Sequence, residues 1–206
     1  MKRELKREQT TKLLLDTTRA LISEKGCSKT TLSDIMERSG LSKGAIFHYV
    51  QGKDELLALV LESRLEEINH RFFDAVAQGV PQFKGPMQKI TESLSILDDP
   101  SDVTNQILMY LLSKSDQPAV SEVIQRFYEQ AVNASKQWIK AGQQHDVIPA
   151  SINADKTAEL FVLLSYGFRM RAATAPQTIS FGISDFSEFI VNILQPNSNS
   201  KRESGD

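Results

Sequence analysis

The chain has 206 residues, 40% of them apolar and 24% charged, the balance of an ordinary soluble globule. No apolar run approaches the ~18 residues of a membrane span, and the basic start MKRELKREQ leads into no apolar core, so no export signal is expected. A single cysteine, Cys27, excludes an internal disulfide framework and suits a reducing cytoplasm. The net charge of −2 speaks against a polyanionic partner until its distribution is counted: residues 1–53 hold 11 Lys+Arg against 6 Asp+Glu, and the remainder 13 against 20. A basic first quarter on an acidic body is the asymmetry expected where one end meets phosphates.

In chain order, residues 1–9 are almost wholly polar and are expected to form a frayed arm, with Lys2, Arg3, Lys6 and Arg7 in reach of a nucleic-acid backbone or minor groove. From 10 to 25 the series Leu14, Leu15, Thr18, Leu21, Ile22 follows helical spacing, and Gly26 predicts the end of that helix. Cys27 falls where a small apolar side chain would be buried.

Residues 31–50 read TLSDIMERSGLSKGAIFHYV, two short helices about a tight turn. Thr31 and Ser33 offer hydroxyls at the first start, Ile35 and Met36 give an apolar side, and Gly40 tolerates the positive φ of a helix stop. Ser42 caps a second helix, 43–49, in which Ala45, Ile46 and Val50 alternate with the donors Lys43, His48 and Tyr49. A short helix with small and donor residues at its N-terminal end is what entry into the DNA major groove requires. Gln51-Gly52 then turns the chain, and Lys53-Asp54-Glu55 opens a helix in which Leu56, Leu57, Val60, Leu61, Leu65, Ile68 and Phe72 keep the period. That is too long for a three-helix head alone, so it predicts a connector into a second domain.

The stretch TLSDIMERSGLSKGAIFHYVQGKDELL resembles the N-terminal domain of the TetR (tetracycline repressor-like) family of bacterial transcriptional regulators. The resemblance spans about residues 8–68 and is carried by Thr30, Thr31, Asp34, Ile35, Gly40, Ser42, Lys43, Gly44, His48, Tyr49, Lys53, Glu55 and Leu56. It implies that Thr31, Ser42, Tyr49 and Lys53 hold the sugar-phosphate backbone and that Lys43, Gly44, Ala45 and His48 face the groove. Phe47 stands where Tyr is common, Val50 where Phe is, and Ala45 where Thr or Ser is. Phe47 keeps a place in the DNA-facing set but has no hydroxyl for a phosphate. The partners implied are double-stranded DNA with a pseudo-palindromic operator, a second copy of the chain, and a small-molecule effector, with no cofactor and no membrane.

Beyond Phe72 the chain reads as a helical body. Gly79, Pro81, Gly85 and Pro86 predict a break, followed by helices over 87–97, 103–112, 119–141, 154–173 and 185–194. Gly142 ends the helix over 119–141, 143–153 is a loop, and 196–206 is a polar tail expected to be disordered. With no competing strand signal, the fold expected is all-α with about nine helices: a head at 8–68, with its helix-turn-helix at 31–50, joined by the long helix to a ligand-binding and dimerisation domain at 69–195.

Met109, Tyr110, Phe127, Trp138, Phe161, Phe168 and Met170 are the candidates for a cavity wall of Met and aromatic type. Helix 154–173 is apolar on more than one face, as a helix between its own core and a partner would be. Arg169 and Arg171 interrupt it; facing inward they would need an anion, but their place near the helix end directs them to solvent. No Gly-rich phosphate loop, His/Cys ligand spacing or Gly-x-Ser-x-Gly elbow supports an enzyme. A helical protein-binding adaptor, the competing class, accounts for the body but not for the basic head; a transcriptional activator using the same head is the alternative to a repressor.

Overall fold

The computed structural model describes residues 2–77, 83–175 and 180–195, with side chains from Leu5 onward. Among the described residues there are nine α-helices and no strand: α1 Lys2–Lys29, α2 Leu32–Ser39, α3 Lys43–Phe47, α4 Lys53–Ala77, α5 Lys84–Leu94, α6 Val103–Leu112, α7 Pro118–Gln144, α8 Ala154–Thr174 and α9 Ile183–Leu194. A 3-10 turn, Ser95–Asp98, follows α5. None of these helices is long and apolar enough to cross a membrane. The polar tail expected at 196–206 lies outside the described residues, as do Gly79 and Pro81.

The chain divides into two compact units, Met1–Arg64 with Ser101–Phe127, and Leu65–Pro100 with Tyr128–Asp206. In the first, α1 packs against α2 and α6. Its buried side chains are the ones the helical period selects: Leu14, Leu15, Leu21 and Ile22 from α1, Ile35 from α2, Ile46 from α3, and Leu56, Leu57, Val60 and Leu61 from α4. From α6 come Ile107, Leu108 and Leu111, and from α7 Val120, Val123 and Phe127. Thr18 is fully buried because its hydroxyl donates to the Leu14 carbonyl one turn back.

The start of the chain departs from the sequence expectation. Residues 2–9 are not a frayed arm but the first turns of α1. Their Lys, Arg, Glu and Leu are good helix formers, so a polar face is no obstacle to helix, and the Thr10 hydroxyl bonds the Lys6 carbonyl. The regular helix breaks at Gly26, with φ 77° and ψ 165°, before a last turn reaches Lys29.

In the second unit a core of Leu94, Leu97, Ile139, Ile148, Ala158, Phe161, Phe168, Phe186, Ile190 and Leu194 ties α5, the 3-10 turn, α7, α8 and α9 together. Phe168 stacks on Phe186 at 5.0 Å and on Phe181 at 6.0 Å. Gly85 and Pro86 do not break the chain but sit in the first turn of α5, where a proline costs little because those N–H groups have no acceptor within the helix. Arg171 does not reach for solvent: its guanidinium pairs with Asp98 at 2.7 Å and lies 4.7 Å over Phe168.

Gly142 does not end α7, which runs on to Gln144. It is a glycine for another reason. The Val147 and Ile148 N–H groups both donate to its carbonyl, and a Cβ there would stand 2.7 Å from Ile148 Cγ1. Gly142→Ala should therefore destabilise the protein by about 1–3 kcal/mol, read as a lower urea midpoint, whereas Gly167→Ala, with nothing within 4 Å of the new carbon, should be neutral or slightly stabilising for the isolated subunit.

Cys27, buried at 6% exposure, gives a second test. Burial pushes its thiol up from 9.0 to about 11, against the opposing pull of Lys53. The native state thus holds the proton more tightly than the unfolded chain, and stability should fall as the pH climbs from about 9 toward 11. At pH 8 the thiolate fraction, and with it the rate of iodoacetamide alkylation, should be about 100-fold below that of a free cysteine; equal rates would show that the thiol is not held protonated.

Candidate nucleic-acid interface and internal cavity

The helix-turn-helix is assembled by short-range bonds. Thr31 begins α2 with a full capping box: its backbone N–H and its hydroxyl both donate to Asp34 Oδ2 at 2.7 Å, and its oxygen accepts from the Asp34 N–H at 3.2 Å. Lys25 adds an ion pair to the same carboxylate at 2.8 Å. With Lys25 and Thr31 as hydrogen-bond partners, Asp34 is held far below the usual carboxylate range. Arg38 Nη1 meets Glu24 Oε1 at 2.6 Å, so α2 is clasped to α1 at both ends.

Gly40 stops α2 at φ 68°, its N–H donating to the Met36 carbonyl at 3.0 Å. Two residues later the Ser42 oxygen accepts from the Ala45 N–H at 3.2 Å and starts α3. As an acceptor there, the hydroxyl keeps its own proton for donation outward. α3 has only five residues, and the Ile46 carbonyl accepts from both Tyr49 and Val50 to close it.

One side of α3 is fixed to the head by Ile46 and Val50, both buried. The other side faces outward: Ser42, Lys43, Gly44, Phe47 and His48 are exposed, and Ala45 and Tyr49 half-buried. The structure thus brings seven of the nine DNA-facing candidates together on one short turn and helix. Lys43 Nζ lies 5.6 Å over the Phe47 ring, and His48 packs edge-on to Tyr49 at 5.5 Å. A Cβ on Gly44 would meet nothing within 4 Å, so no neighbour in the chain requires glycine there.

The other two candidates are engaged within the head. The Thr31 hydroxyl is spent on the capping box. Lys53 does not extend beside α3 but turns inward, donating to the Cys27 carbonyl at 2.5 Å with its ammonium 4.8 Å over the Tyr110 ring. Lys114 lies over the same ring at 5.2 Å and pairs with Asp54, which holds the Lys114 ammonium above its ordinary value. Tyr110, proposed from its sequence position as a cavity residue, is therefore the floor beneath two lysines.

The second unit contains a cavity that offers about 120 Å³ to the centres of water-sized molecules. Trp138 and Phe161 line it, as the sequence suggested. Phe168 is buried in the neighbouring aromatic stack and Met170 is 58% exposed, while Met109, Tyr110 and Phe127 belong to the first unit. The rest of the wall includes Phe72, Phe83, Met87, Ile139, Val162, Phe186 and Ile190. In the sequence these carry only the signal of an apolar helix face, which does not separate a cavity wall from filled core.

The outward face of α3 on a capped two-helix turn defines a helix-turn-helix of the DNA-binding kind. Residues 14–60 match the model for bacterial regulatory proteins of the tetR family. That match covers the head and assigns residues 14–60 to the DNA-binding domain found in bacterial regulatory proteins of the tetR kind. It is 26% identical over 85 residues to the HTH-type transcriptional repressor KstR2 of Rhodococcus jostii, a match that covers 41% of this chain and 42% of that repressor. The all-helical fold recurs in Salmonella enterica GusR, at 18% identity and a TM-score of 0.60, with 91% of this chain and 96% of that one covered. It recurs also in the SmeT–triclosan complex, at 16% identity and a TM-score of 0.62, with 91% and 90% covered.

Proposed function

We propose that the chain is a dimeric repressor that holds a pseudo-palindromic operator through two copies of its head, residues 8–68, and releases it when a small molecule occupies the body, residues 69–195. The observation that carries this reading is the exposed side of α3, where a cation, a glycine and polar rings are presented on a helix otherwise anchored by Ile46 and Val50. Lys43, Ser42 and Tyr49 take phosphates, Gly44 lets the helix approach the groove, and the Ala45 methyl meets a thymine methyl. His48 and Phe47 stand at the edge of the same surface. Lys53 and Thr31 act through the head: one seats the end of α1, the other fixes the start of α2.

Dimerisation is supported by α8. Leu160, Leu163 and Met170 are 38%, 54% and 58% exposed and recur at helical spacing around the exposed Gly167, a stripe suited to packing on a second copy. The cavity lined by Trp138 and Phe161 supports the effector reading; SmeT, of like fold, has been captured with triclosan. The site of action is the cytoplasm, where operator DNA lies. An adaptor that binds another protein would not need the outward face of α3, and a mobility-shift titration against the promoter of the adjacent operon separates the two. Absence of salt-sensitive, sequence-selective binding would remove the regulator reading.

Two substitutions test the parts. Lys43→Ala should weaken operator binding, lowering the slope of log affinity against log salt by about 1 while leaving the ranking of operator variants unchanged; a changed base preference would make Lys43 a base reader instead. Leu163→Glu should convert a species of twice 23.1 kDa to the monomer in sedimentation, and footprints on half-sites about 10 bp or more apart should shrink to one half-site or vanish.

A further inference from the structure

We propose that the cavity of the second unit selects compact, uncharged, predominantly apolar molecules with at most one hydrogen-bonding group, and discriminates against anions and cations of the same shape. The inference rests on the reading of this cavity as the effector site and adds the chemical class that the site accepts.

Among the described residues the wall supplies no carboxylate, ammonium or guanidinium: no Lys, Arg, Asp or Glu lines it. Rings from Phe72, Phe83, Trp138, Phe161 and Phe186 face the space together with aliphatic side chains. Three cations elsewhere in this unit are engaged by other groups. Arg171 is held by Asp98 at 2.7 Å, Lys136 pairs with Asp155, and Arg71 bonds the Glu67 carbonyl at 3.3 Å. An ion entering the cavity would shed its water and meet no carboxylate, ammonium or guanidinium among the described wall residues, a circumstance in which burial of a charge is unfavourable.

The polar groups of the wall are few and mostly spent. Trp138 Nε1 donates to Asn69 Oδ1 at 2.8 Å, and the Ser165 hydroxyl donates to the Phe161 carbonyl at 2.8 Å. That leaves Ser135, 9% exposed, and His145, which is exposed and marks where the lining meets solvent. A single hydroxyl or carbonyl on the guest can be served there; a carboxylate or ammonium, which needs several strong partners, cannot.

Trp138 is the only tryptophan of the chain and stands in the wall, so its emission reports occupancy directly. Three cage molecules of matched shape and no absorbance of their own make the test: 1-adamantanol, 1-adamantanecarboxylate and 1-adamantylammonium, titrated into the full chain at neutral pH with thermal shift in parallel. The alcohol should change Trp138 emission saturably and raise Tm, with both ions weaker by about 100-fold or more. Either ion binding as tightly as the alcohol would overturn the proposal, as would all three leaving Trp138 emission and Tm unmoved.

Ala141→Phe and Val76→Phe, which narrow the cavity from α7 and α4, should each weaken the alcohol by at least about tenfold in a chain whose circular dichroism is unchanged. Undiminished binding in a folded variant would place the molecule elsewhere and overturn the assignment. Operator affinity measured with the alcohol bound is a separate arm. An unaltered affinity would count against the cavity as the regulatory site and leave its chemical selectivity standing.

Discussion

The C-terminal end of α1 leaves backbone carbonyls without partners inside the helix, and the way they are met decides where the reading helix stands. Gly26 takes φ 77°, a conformation that other side chains resist, and so turns the chain toward α2. The Thr30 hydroxyl then bonds the Gly26 carbonyl at 2.9 Å, while the Cys27 carbonyl accepts from Thr30 N–H at 3.3 Å and from the Lys53 ammonium at 2.5 Å. A cation at a helix C-terminus is favoured by the dipole as well as by the hydrogen bond. Because Lys53 opens α4, this one contact binds the residue before the helix-turn-helix to the residue after it, and α3 is positioned between two ends that are fixed to each other.

The same contact involves α6. Tyr110 lies under both Lys53 and Lys114, and Lys114 is paired with Asp54. Two cations on one ring would repel one another in isolation. Here each has a separate acceptor, the Cys27 carbonyl for one and the Asp54 carboxylate for the other, and the ring face adds its own attraction. Lys53 therefore serves the head by holding it together, a role that its position in the motif alone does not reveal.

What could be read from the sequence follows the range over which each feature is decided. Thr31, Asp34, Gly40 and Ser42 act within four residues of themselves, through caps and a left-handed turn, so the helix-turn-helix and the membership of Ile35 and Ile46 in its core were legible as a string. Arg171 is the contrary case: its partner Asp98 lies 73 residues away, and nothing near Arg171 in the chain distinguishes a solvated end from an internal pair. The Trp138–Asn69 bond spans 69 residues and is equally hidden. The cavity is composed by α4, α5, α7, α8 and α9 together, so helical periodicity identified apolar faces without telling which of them leave space. Residues 2–9 differ for another reason: their polarity suggests fraying, yet lysine, arginine and glutamate are strong helix formers.

Glycine shows why a local rule needs its surroundings before it carries function. Gly26 and Gly40 are set by positive φ, and Gly142 by the Ile148 side chain packed on it. Gly44, Gly52, Gly85 and Gly167 all have open space where a Cβ would stand, so openness by itself separates nothing. The helix-mates do. Gly52 and Gly85 lie in a turn and a first helical turn, where glycine is tolerated for backbone reasons. Gly44 sits among Lys43, Phe47 and His48 on the outward side of α3, and Gly167 among Leu160, Leu163 and Met170 on the outward side of α8. At those two positions glycine costs helix stability that the chain's own packing does not repay. In the proposed dimer on DNA, close approach by another molecule would compensate at both, polar and cationic around the first, apolar around the second.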